Sequence, residues 1–570
     1  MKFLFVSVAI LLGLVHLPTD KSQALQPSTS AVPIGCGPQG PFRLRPDENG
    51  KFINPLPGWG NHSYTISTRS DSAQFYFNQG LNMYYSYHMR EAMVSFREAS
   101  RFDSTAAMPY WGQALALGPY YNATYSYSQS PLLPDLLRKM KNFPAGTAAE
   151  QILINAMDQR YAAAGDTTGW RTLNQRYADL LRKAVLSSPD DNDLKMLFVD
   201  AVMLNHAWNF WNNDGSPKEW TPALVELCEQ VLLRDKNHPA AMHYYIHITE
   251  ASRKPEVALD AARRLGGLMP GVAHMVHMSS HEYERNSLFP EGVQSNKRAD
   301  AALKKYDLLA PQLGLVKASP HYFAVQAYCA LSGGLQAEAG RAALQTRAAV
   351  SPDATKLYDQ YLYMFPELAM VRLGQWAGIL SRAGSPDSSW IYAGLLHHFA
   401  RGMAHANTGQ LDSAAWHLSK IEGALDHPSL LLRRMPFNTY LEAGKIAFQI
   451  LESVLQYQKG DTDGAITAIS KAIEVEDKMV YTEPRDWMLP ARQYLGYYLE
   501  VKKDYTAAAK VYREDLIWNP GNGWSDLGLA NALRHGSKQK GLRKKRSLEG
   551  FRDAENIPAA SVHLRFREPK

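Results

Sequence analysis

The sequence predicts an all-α protein, a right-handed superhelical solenoid built from pairs of helices and interrupted by irregular insertions. Apolar residues recur at helical spacing after a Pro- and Gly-rich lead-in, and the Val, Ile and Thr alternation typical of strands is scarce. A chain of 570 residues also exceeds what one compact core usually holds, so it divides into domains or grows as a stack of repeats. A motif that occurs twice, 34 residues apart, favours the stack.

The repeated motif consists of His, three residues, His, two residues and Glu. It spans 243–250 and again 277–284, and His274 precedes the second copy by three residues. A period of 34 residues is that of the tetratricopeptide repeat, in which each unit is one helix pair. The sequence therefore predicts the same His, His and Glu positions on two successive helices of a repeat array.

Small and aromatic residues elsewhere follow the same repeat. The tetratricopeptide pattern places an aromatic residue near position 4, small residues at positions 8 and 20, and proline near position 32. The segments 76–99 and 496–520 follow it, and the motif region does so with Ala258 at position 20 and Pro270 at position 32. Three spans interrupt the series, and we predict them to be irregular: 119–145, 207–220 and 477–490.

Five segments are predicted along the chain. They are a signal peptide at 1–24, an extended lead-in at 25–70, N-terminal repeats with a His-rich groove at 71–355, C-terminal repeats at 356–535 and a basic tail at 536–570. Lys2 precedes an apolar run that reaches Val15, and Ser22-Gln23-Ala24 has the small residues of a cleavage site. We therefore expect an exported protein, periplasmic or extracellular, without a transmembrane segment in its mature form.

The net charge of +6 is concentrated near the C-terminus. Six basic residues lie there without an acidic residue among them: Lys538, Lys540, Arg543, Lys544, Lys545 and Arg546. Since the remainder is close to neutral, we expect no nucleic-acid partner. Three cysteines are too few for a disulfide scaffold, and the apolar surroundings of Cys228 and Cys329 predict buried, inert thiols.

The repeat register puts the histidines on one face. His243, His247 and Glu250 fall at positions 5, 9 and 12 of the first helix of a pair, and the second motif repeats these positions on the next pair. His274 and His321 both fall at position 2 of their repeats. Because residues i, i+4 and i+7 share a helical face, we expect these side chains to line the concave groove together.

One chemistry that fits this pattern is metal binding. Two imidazoles at i and i+4 can chelate one ion, and a carboxylate one turn further on can supply a third ligand. The candidate ligands are His243, His247, Glu250, His274, His277 and His281. Imidazole and carboxylate together suit Zn, Cu, Fe or Mn better than Ca or Mg. No zincin motif, phosphate-binding loop or nucleophile elbow occurs, so no catalytic residue is assigned and enzymatic activity stays open.

The function that we favour from the sequence is a binding or scaffolding module that holds a peptide or protein ligand in the concave groove. Arg285 would pair with an acidic group of the ligand while the histidines donate hydrogen bonds. The candidate groove-binding residues are Arg285, His321, Tyr245 and Tyr283. The alternative is a metal-binding protein or a metalloenzyme, either a hydrolase or an oxidoreductase, that uses the His and Glu cluster.

Several sequence blocks carry a resemblance that goes beyond the repeat pattern. They are Tyr110-Trp111-Gly112-Gln113-Ala114, His238-Pro239 through Glu250-Ala251-Ser252, Met269-Pro270-Gly271 through Arg285, Glu483-Pro484-Arg485-Asp486-Trp487 and Asn519-Pro520 through Trp524. With these blocks the chain resembles a family of exported bacterial tetratricopeptide-repeat domain proteins, from about residue 60 onward. The resemblance implies a helical repeat protein and no particular activity. The chain departs from this family at His88-Met89 and at Glu284, which is therefore not among the candidate ligands.

Overall fold

The structure, a computed structural model, describes residues 46–163, 165–433, 437–536 and 548–565. Within these ranges the regular secondary structure is helical, apart from one isolated β-bridge between Trp211 and Pro217. No helix in the described ranges is long and apolar enough to cross a membrane. The predicted signal peptide, Cys36 and the six clustered basic residues lie outside the described residues.

The α-helices of the described chain follow one another with short connections. They are α1 (Asp71–Tyr85), α2 (Met89–Phe102), α3 (Met108–Ala116), α4 (Leu133–Asn142), α5 (Ala148–Gln159), α6 (Trp170–Ser187), α7 (Asn192–Asn205), α8 (Thr221–Arg234), α9 (Pro239–Thr249), α10 (Leu259–Leu268), α11 (Ala273–Arg285), α12 (Phe289–Leu309), α13 (Pro320–Ser332), α14 (Gln336–Ala348), α15 (Leu357–Tyr363), α16 (Phe365–Arg372), α17 (Trp376–Ser381), α18 (Ile391–Asn407), α19 (Leu411–Leu425), α20 (Tyr440–Lys459), α21 (Thr462–Glu476), α22 (Ala491–Val501), α23 (Tyr505–Trp518) and α24 (Gly523–Gly536). Short 3-10 turns lie at Tyr121–Ser126, Pro255–Ala258, Pro311–Leu313, Pro428–Leu431 and Glu549–Phe551.

Sequential helices pack as pairs, and the pairs stack on their neighbours. The most extensive pairings are α1 with α2, α11 with α12, α13 with α14, α18 with α19, and α20 with α21, and α9 packs on both α8 and α10. This arrangement confirms the predicted all-α solenoid of tetratricopeptide-like helix pairs. In the register predicted from the sequence, α9, α11 and α13 are the first helices of three successive pairs.

Glycine at position 8 of the repeat explains how the two helices of a pair approach each other. Phe96 of α2 lies so close to α1 and α3 that an added Cβ would stand 2.7 Å from its ring at Gly80 and 2.3 Å at Gly112. Tyr512 of α23 lies against Gly496 of α22 in the same way, and a Cβ added there would stand 2.4 Å from the Tyr512 ring. A bulkier residue at these positions would separate the helices, so the small residues determine the packing distance.

The three spans predicted to be irregular differ in structure. The span 477–490 contains no helix, and 207–220 contains the isolated β-bridge. The span 119–145 is only partly irregular, and this prediction was wrong in its middle, where α4 forms. Pro134 occupies the first turn of α4, and the helix buries Leu136 and Met140 on one face, which stabilises it against the neighbouring repeats.

These spans also join distant parts of the solenoid. The Trp208 indole Nε1–H donates to Glu483 Oε1 over 3.1 Å, and the Asn213 side-chain amide donates to the Asp477 carbonyl over 2.8 Å. The span 477–490 therefore lies against the N-terminal repeats, close to the ends of α9 and α11. Both buried cysteines in the described ranges, Cys228 and Cys329, are free thiols, as predicted.

The first prediction tests the packing role of glycine. Replacing Gly112 with alanine forces a Cβ into the buried Phe96 ring, so we expect a loss of about 1–3 kcal/mol in stability. Gly340→Ala is the matched control, because that helical glycine has open space around its Cβ position and alanine should stabilise it by about 0.5–1 kcal/mol. Thermal unfolding followed by circular dichroism distinguishes the two, and equal effects would contradict the packing argument.

Candidate metal centre

Six histidines from three adjacent helices meet in the interior. Helix α9 contributes His243 and His247, α11 contributes His274, His277 and His281, and α13 contributes His321. Their exposed fractions lie between 0% and 4%. The first turns of α9 and α13 each contain a proline, which suits the N-terminus of a helix because that position needs no N–H donor. The predicted shared face is therefore real, but it is enclosed.

The first three histidines form one group, which we call the first triad: His243, His247 and His274. One nitrogen from each lies within 4.8 Å of the other two. The Nδ1–H of His243 donates to the Tyr85 carbonyl over 2.6 Å, and its Nε2 lies 3.1 Å from Nε2 of His274. Since a carbonyl can only accept, the hydrogen of neutral His243 is on Nδ1, and its Nε2 lone pair points into the triad.

The second triad consists of His277, His281 and His321, whose ligand atoms also lie within 4.8 Å of one another. His277 Nδ1 is 2.6 Å from Oδ1 of Asn296, and the Asn296 amide nitrogen donates to the Gly292 carbonyl over 2.9 Å. That second bond fixes the amide orientation, so His277 donates from Nδ1 and its Nε2 is unprotonated. This Nε2 lies 2.9 Å from Nε2 of His281.

Glu250 connects the two triads. Its Oε1 accepts from Nδ1 of His247 over 3.1 Å, and its Oε2 lies 3.3 Å from Nδ1 of His281. The rings of these two histidines are 6.4 Å apart between centroids, and the rings of His274 and His277 are 6.0 Å apart. We predicted Glu250 as a metal ligand, and the structure places its carboxyl group beside Nδ1 of both histidines, with a hydrogen bond to His247 alone.

Burial keeps these imidazoles uncharged. Loss of hydration lowers the pKa of His247 and of His277 to about 3. The same cause, together with the neighbouring histidines, lowers the pKa of His243, His274 and His281 well below its ordinary value. The neutral imidazole is the form that binds metal ions, and it is present here throughout the physiological pH range.

Two ring nitrogens of the first triad are buried without a hydrogen-bond partner in the described structure. They are Nε2 of His247 and Nδ1 of His274. An unsatisfied buried polar group costs about 1–3 kcal/mol and is uncommon in native proteins. A metal ion bound within the triad would use the Nε2 lone pair of His247 and remove that cost.

Aromatic residues that the sequence did not single out enclose the first triad. The Tyr87 ring lies 4.5 Å from His243, and the Tyr121 ring lies 4.7 Å from His247 and 4.3 Å from Trp208. Tyr87 and Trp208 have positive φ angles of 57° and 59°, which side-chain-bearing residues rarely adopt. Strained backbone of this kind clusters at functional sites. No local sequence signal identifies these residues, because their chain segments are irregular.

The candidate groove-binding residues are engaged in internal contacts. The guanidinium of Arg285 donates to the carbonyls of Glu250 and Trp518, each over 2.9 Å, and the Tyr245 hydroxyl donates to Glu229 over 2.7 Å. Arg285, Tyr245 and His321 are at most 5% exposed, and Tyr283 is 9% exposed. We predicted that these four side chains contact a ligand in the concave groove, and the structure places all four in buried positions, with Arg285 covered by Tyr481 and by the end of α23.

A further group consists of His62, His238 and Asp193, whose possible ligand atoms lie within 4.8 Å of one another, as in the two triads. Its hydrogen bonds favour an ion pair over a metal site. His238 Nδ1 accepts from the backbone N–H of Ala241 over 3.4 Å, so the ring hydrogen is on Nε2, the atom a metal would need. His62 Nε2 donates to Asp193 over 2.9 Å, and the Tyr85 hydroxyl donates to the same oxygen over 2.7 Å.

Comparison with known proteins gives matches among solved structures. No protein-family model and no curated protein matches the chain. Among solved structures, the chain is similar to the APC/C hetero-tetramer Cut9-Hcn1 at 13% identity and a TM-score of 0.29, over 82% of this chain and 78% of that one. It is also similar to yeast Tom70, with 11% identity and a TM-score of 0.30, over 78% of this chain and 92% of that one. Its similarity to the human IFIT1 dimer with m7Gppp-AAAA has 12% identity and a TM-score of 0.30, over 79% of this chain and 91% of that one.

At this level of similarity the functions of those proteins carry no weight for this chain. Its own helix pairs and side chains define an all-α protein of tetratricopeptide-like repeats that encloses six histidines between three repeats.

The second prediction concerns the ion pair of His62 and Asp193. Burial opposes the charged imidazolium, but the hydrogen bond and the charge of Asp193 outweigh it, so the pKa of His62 is raised. A pKa raised on folding stabilises the protein below the unfolded value of 6.5, and this stabilisation disappears as pH rises through the folded pKa. We expect His62→Gln to lower the melting temperature by roughly 1–3 °C at pH 6 and by less at pH 9.

The control for this measurement is His427→Gln, because the His427 side chain is exposed and contacts Ser429 alone among the hydrogen bonds found. Its melting temperature should match the unmodified protein at both pH values. A His62→Gln effect that is the same at pH 6 and pH 9 would contradict the charged pair.

Proposed function

We propose that this protein is a metalloprotein in which each histidine triad binds one transition-metal ion. The observation that carries the proposal is the convergence of six buried imidazoles from α9, α11 and α13 in two adjacent triads. Buried polar side chains are normally saturated with hydrogen bonds, and this cluster is not. Coordination of metal ions accounts for both the clustering and the unsatisfied Nε2 of His247.

The hydrogen bonds around the triads match those of metal-binding histidines. Such histidines usually donate Nδ1–H to a carbonyl, an amide oxygen or a carboxylate, which fixes the ring and makes Nε2 a better ligand. His243, His277 and His247 make these three kinds of bond with Tyr85, Asn296 and Glu250.

The spacing of the nitrogens also suits a shared ion. Two imidazole nitrogens bound tetrahedrally to one ion at about 2.05 Å lie about 3.3 Å apart. The Nε2 atoms of His243 and His274 are 3.1 Å apart, and those of His277 and His281 are 2.9 Å apart. Small side-chain rotations are enough to reach the coordinated spacing.

The ligand set narrows the choice of metal. Imidazole nitrogens suit Zn and Cu, whereas Mn prefers oxygen ligands and non-haem Fe sites usually include a carboxylate. Because each triad contains histidine alone, we favour Zn or Cu among the four metals considered from the sequence. The burial of Arg285 and the histidines likewise favours metal ions over a peptide as the ligand of these residues.

The third prediction is the metal stoichiometry. The untagged protein, loaded in turn with Zn, Cu, Fe and Mn and then desalted, should retain two Zn or two Cu ions per chain by elemental analysis. His243→Gln in the first triad and His277→Gln in the second should each retain one ion, and the exposed His427→Gln should retain two. Circular dichroism checks that the variants are folded, and a rise in melting temperature on loading gives a second readout.

The outcome that contradicts the proposal is substoichiometric binding of every metal by the folded, unmodified protein. Equal metal content in the triad variants and in His427→Gln would contradict the assignment of the ligands.

The fourth prediction tests the role of Glu250. Glu250→Gln keeps the size of the side chain but presents an amide N–H to one of the two histidines, so metal affinity should fall by about 10–100-fold. Glu282→Gln is the matched control, since Glu282 is an equally buried carboxylate on α11 whose hydrogen-bond partner is Asn286. Competition with a chelator measures both variants, and an equal loss in the two would show that Glu250 does not support the ligands.

A further inference from the structure

We infer that the two triads hold a pair of Cu(I) ions that binds one dioxygen molecule, an inference that rests on the metal centre proposed above. Three properties of the described residues carry it. They are the donor set of the triads, the charge around them and their enclosure.

The donor set consists of three imidazole nitrogens for each ion. Cu(I) has a filled d shell and is stable with three imidazole ligands in a trigonal arrangement. Zn binds three histidines together with a fourth ligand such as water, and Mn and Fe sites draw on oxygen donors. Cu(I) is complete with the three nitrogens of a triad and needs no further ligand.

The charge around the triads also favours monovalent ions. Glu250 and Glu483 each place a carboxylate oxygen within 4.8 Å of a ring nitrogen of His247, and the guanidinium of Arg285 is close to Glu250. Two Cu(I) ions bring two positive charges and two divalent ions bring four, so the carboxylates offset a larger share of the charge of Cu(I). Because the cost of moving an ion out of water grows with the square of its charge, each monovalent ion costs about a quarter as much.

The enclosure of the site limits what can react there. All six histidines are at most 4% exposed, and the rings of Tyr87, Tyr121 and Tyr322 pack on them. Two cavities, of about 40 Å³ and 10 Å³, are lined by residues such as Trp518 and Tyr328 and contain none of the six histidines. A peptide or ester cannot reach the ions without opening the fold, whereas a small, uncharged diatomic molecule can diffuse through the aromatic surroundings.

The reaction is balanced without another reactant. Each Cu(I) donates one electron to dioxygen, both ions become Cu(II), and the oxygen is reduced to peroxide, in which the O–O bond order falls from two to one. A peroxide held at the site would compensate the two charges gained by the metals. No proton is transferred in this step, and loss of dioxygen reverses it.

The experiment uses the full chain, freed of metal and titrated with Cu(I) under anaerobic conditions against a Cu(I)-selective chelator. We expect two Cu(I) per chain, which an equal concentration of Zn does not displace. On exposure to dioxygen, one molecule should be consumed for each copper pair. The product should show a strong charge-transfer absorption and no isolated Cu(II) signal by electron paramagnetic resonance, since ions about 3.5–4 Å apart couple magnetically.

Variants separate the pair from single copper ions. His277→Gln should bind one Cu(I) and consume no dioxygen in this stoichiometric step, because one ion supplies one electron. His427→Gln should behave like the unmodified protein, because its side chain is exposed and belongs to neither triad.

The possible failures are distinguishable. Two tightly bound Zn ions that exclude Cu(I) would overturn the copper assignment and leave the metal centre intact. Two bound Cu(I) ions without dioxygen uptake, or with uncoupled Cu(II) signals after oxidation, would overturn the dioxygen chemistry. Failure of the folded protein to bind any metal would overturn both this inference and the proposed function.

Discussion

The close packing of successive repeats is the constraint on which the rest of the structure depends. An added Cβ at Gly266 of α10 would stand 3.2 Å from Ser279 of α11, and one at Gly292 of α12 would stand 2.8 Å from Cys329 of α13. These small residues let the second helices approach the first helices of the following pair. Helices α9, α11 and α13 then lie side by side, and their histidines reach one another across the interfaces.

Bringing six imidazoles into the interior has an energetic cost that the surroundings only partly offset. The Tyr85 carbonyl, Asn296 and Glu250 each accept an Nδ1 hydrogen, which holds the rings in one orientation. Burial also raises the pKa of Glu250 well above its ordinary value, because loss of hydration disfavours the charged carboxylate. Positive ions in the triads would favour the ionised form, which strengthens its hydrogen bonds to the ligands.

The insertions convert a repeat surface into a closed site. Tyr121 and Trp208 come from two N-terminal insertions and Glu483 from a C-terminal one, and the three meet beside His247. Repeat proteins usually keep the face of their first helices open for a partner. Here the chain itself covers that face. From the sequence alone the histidines fitted a groove for a peptide, whereas their enclosure in the structure favours a metal ion as the ligand.

The sequence by itself determined the helical repeat and the shared face of the six histidines, although it placed His321 among the groove-binding residues and not among the candidate ligands. It could do so because helical periodicity and the period of 34 residues are local properties of the chain. Only the tertiary structure decided that His321 lies with His277 and His281, that Glu250 lies between the two triads, and that the site is closed. Those features depend on contacts between distant residues. His243 and the Tyr85 carbonyl are 158 positions apart, and Trp208 and Glu483 are 275 positions apart, so no local sequence pattern encodes these contacts.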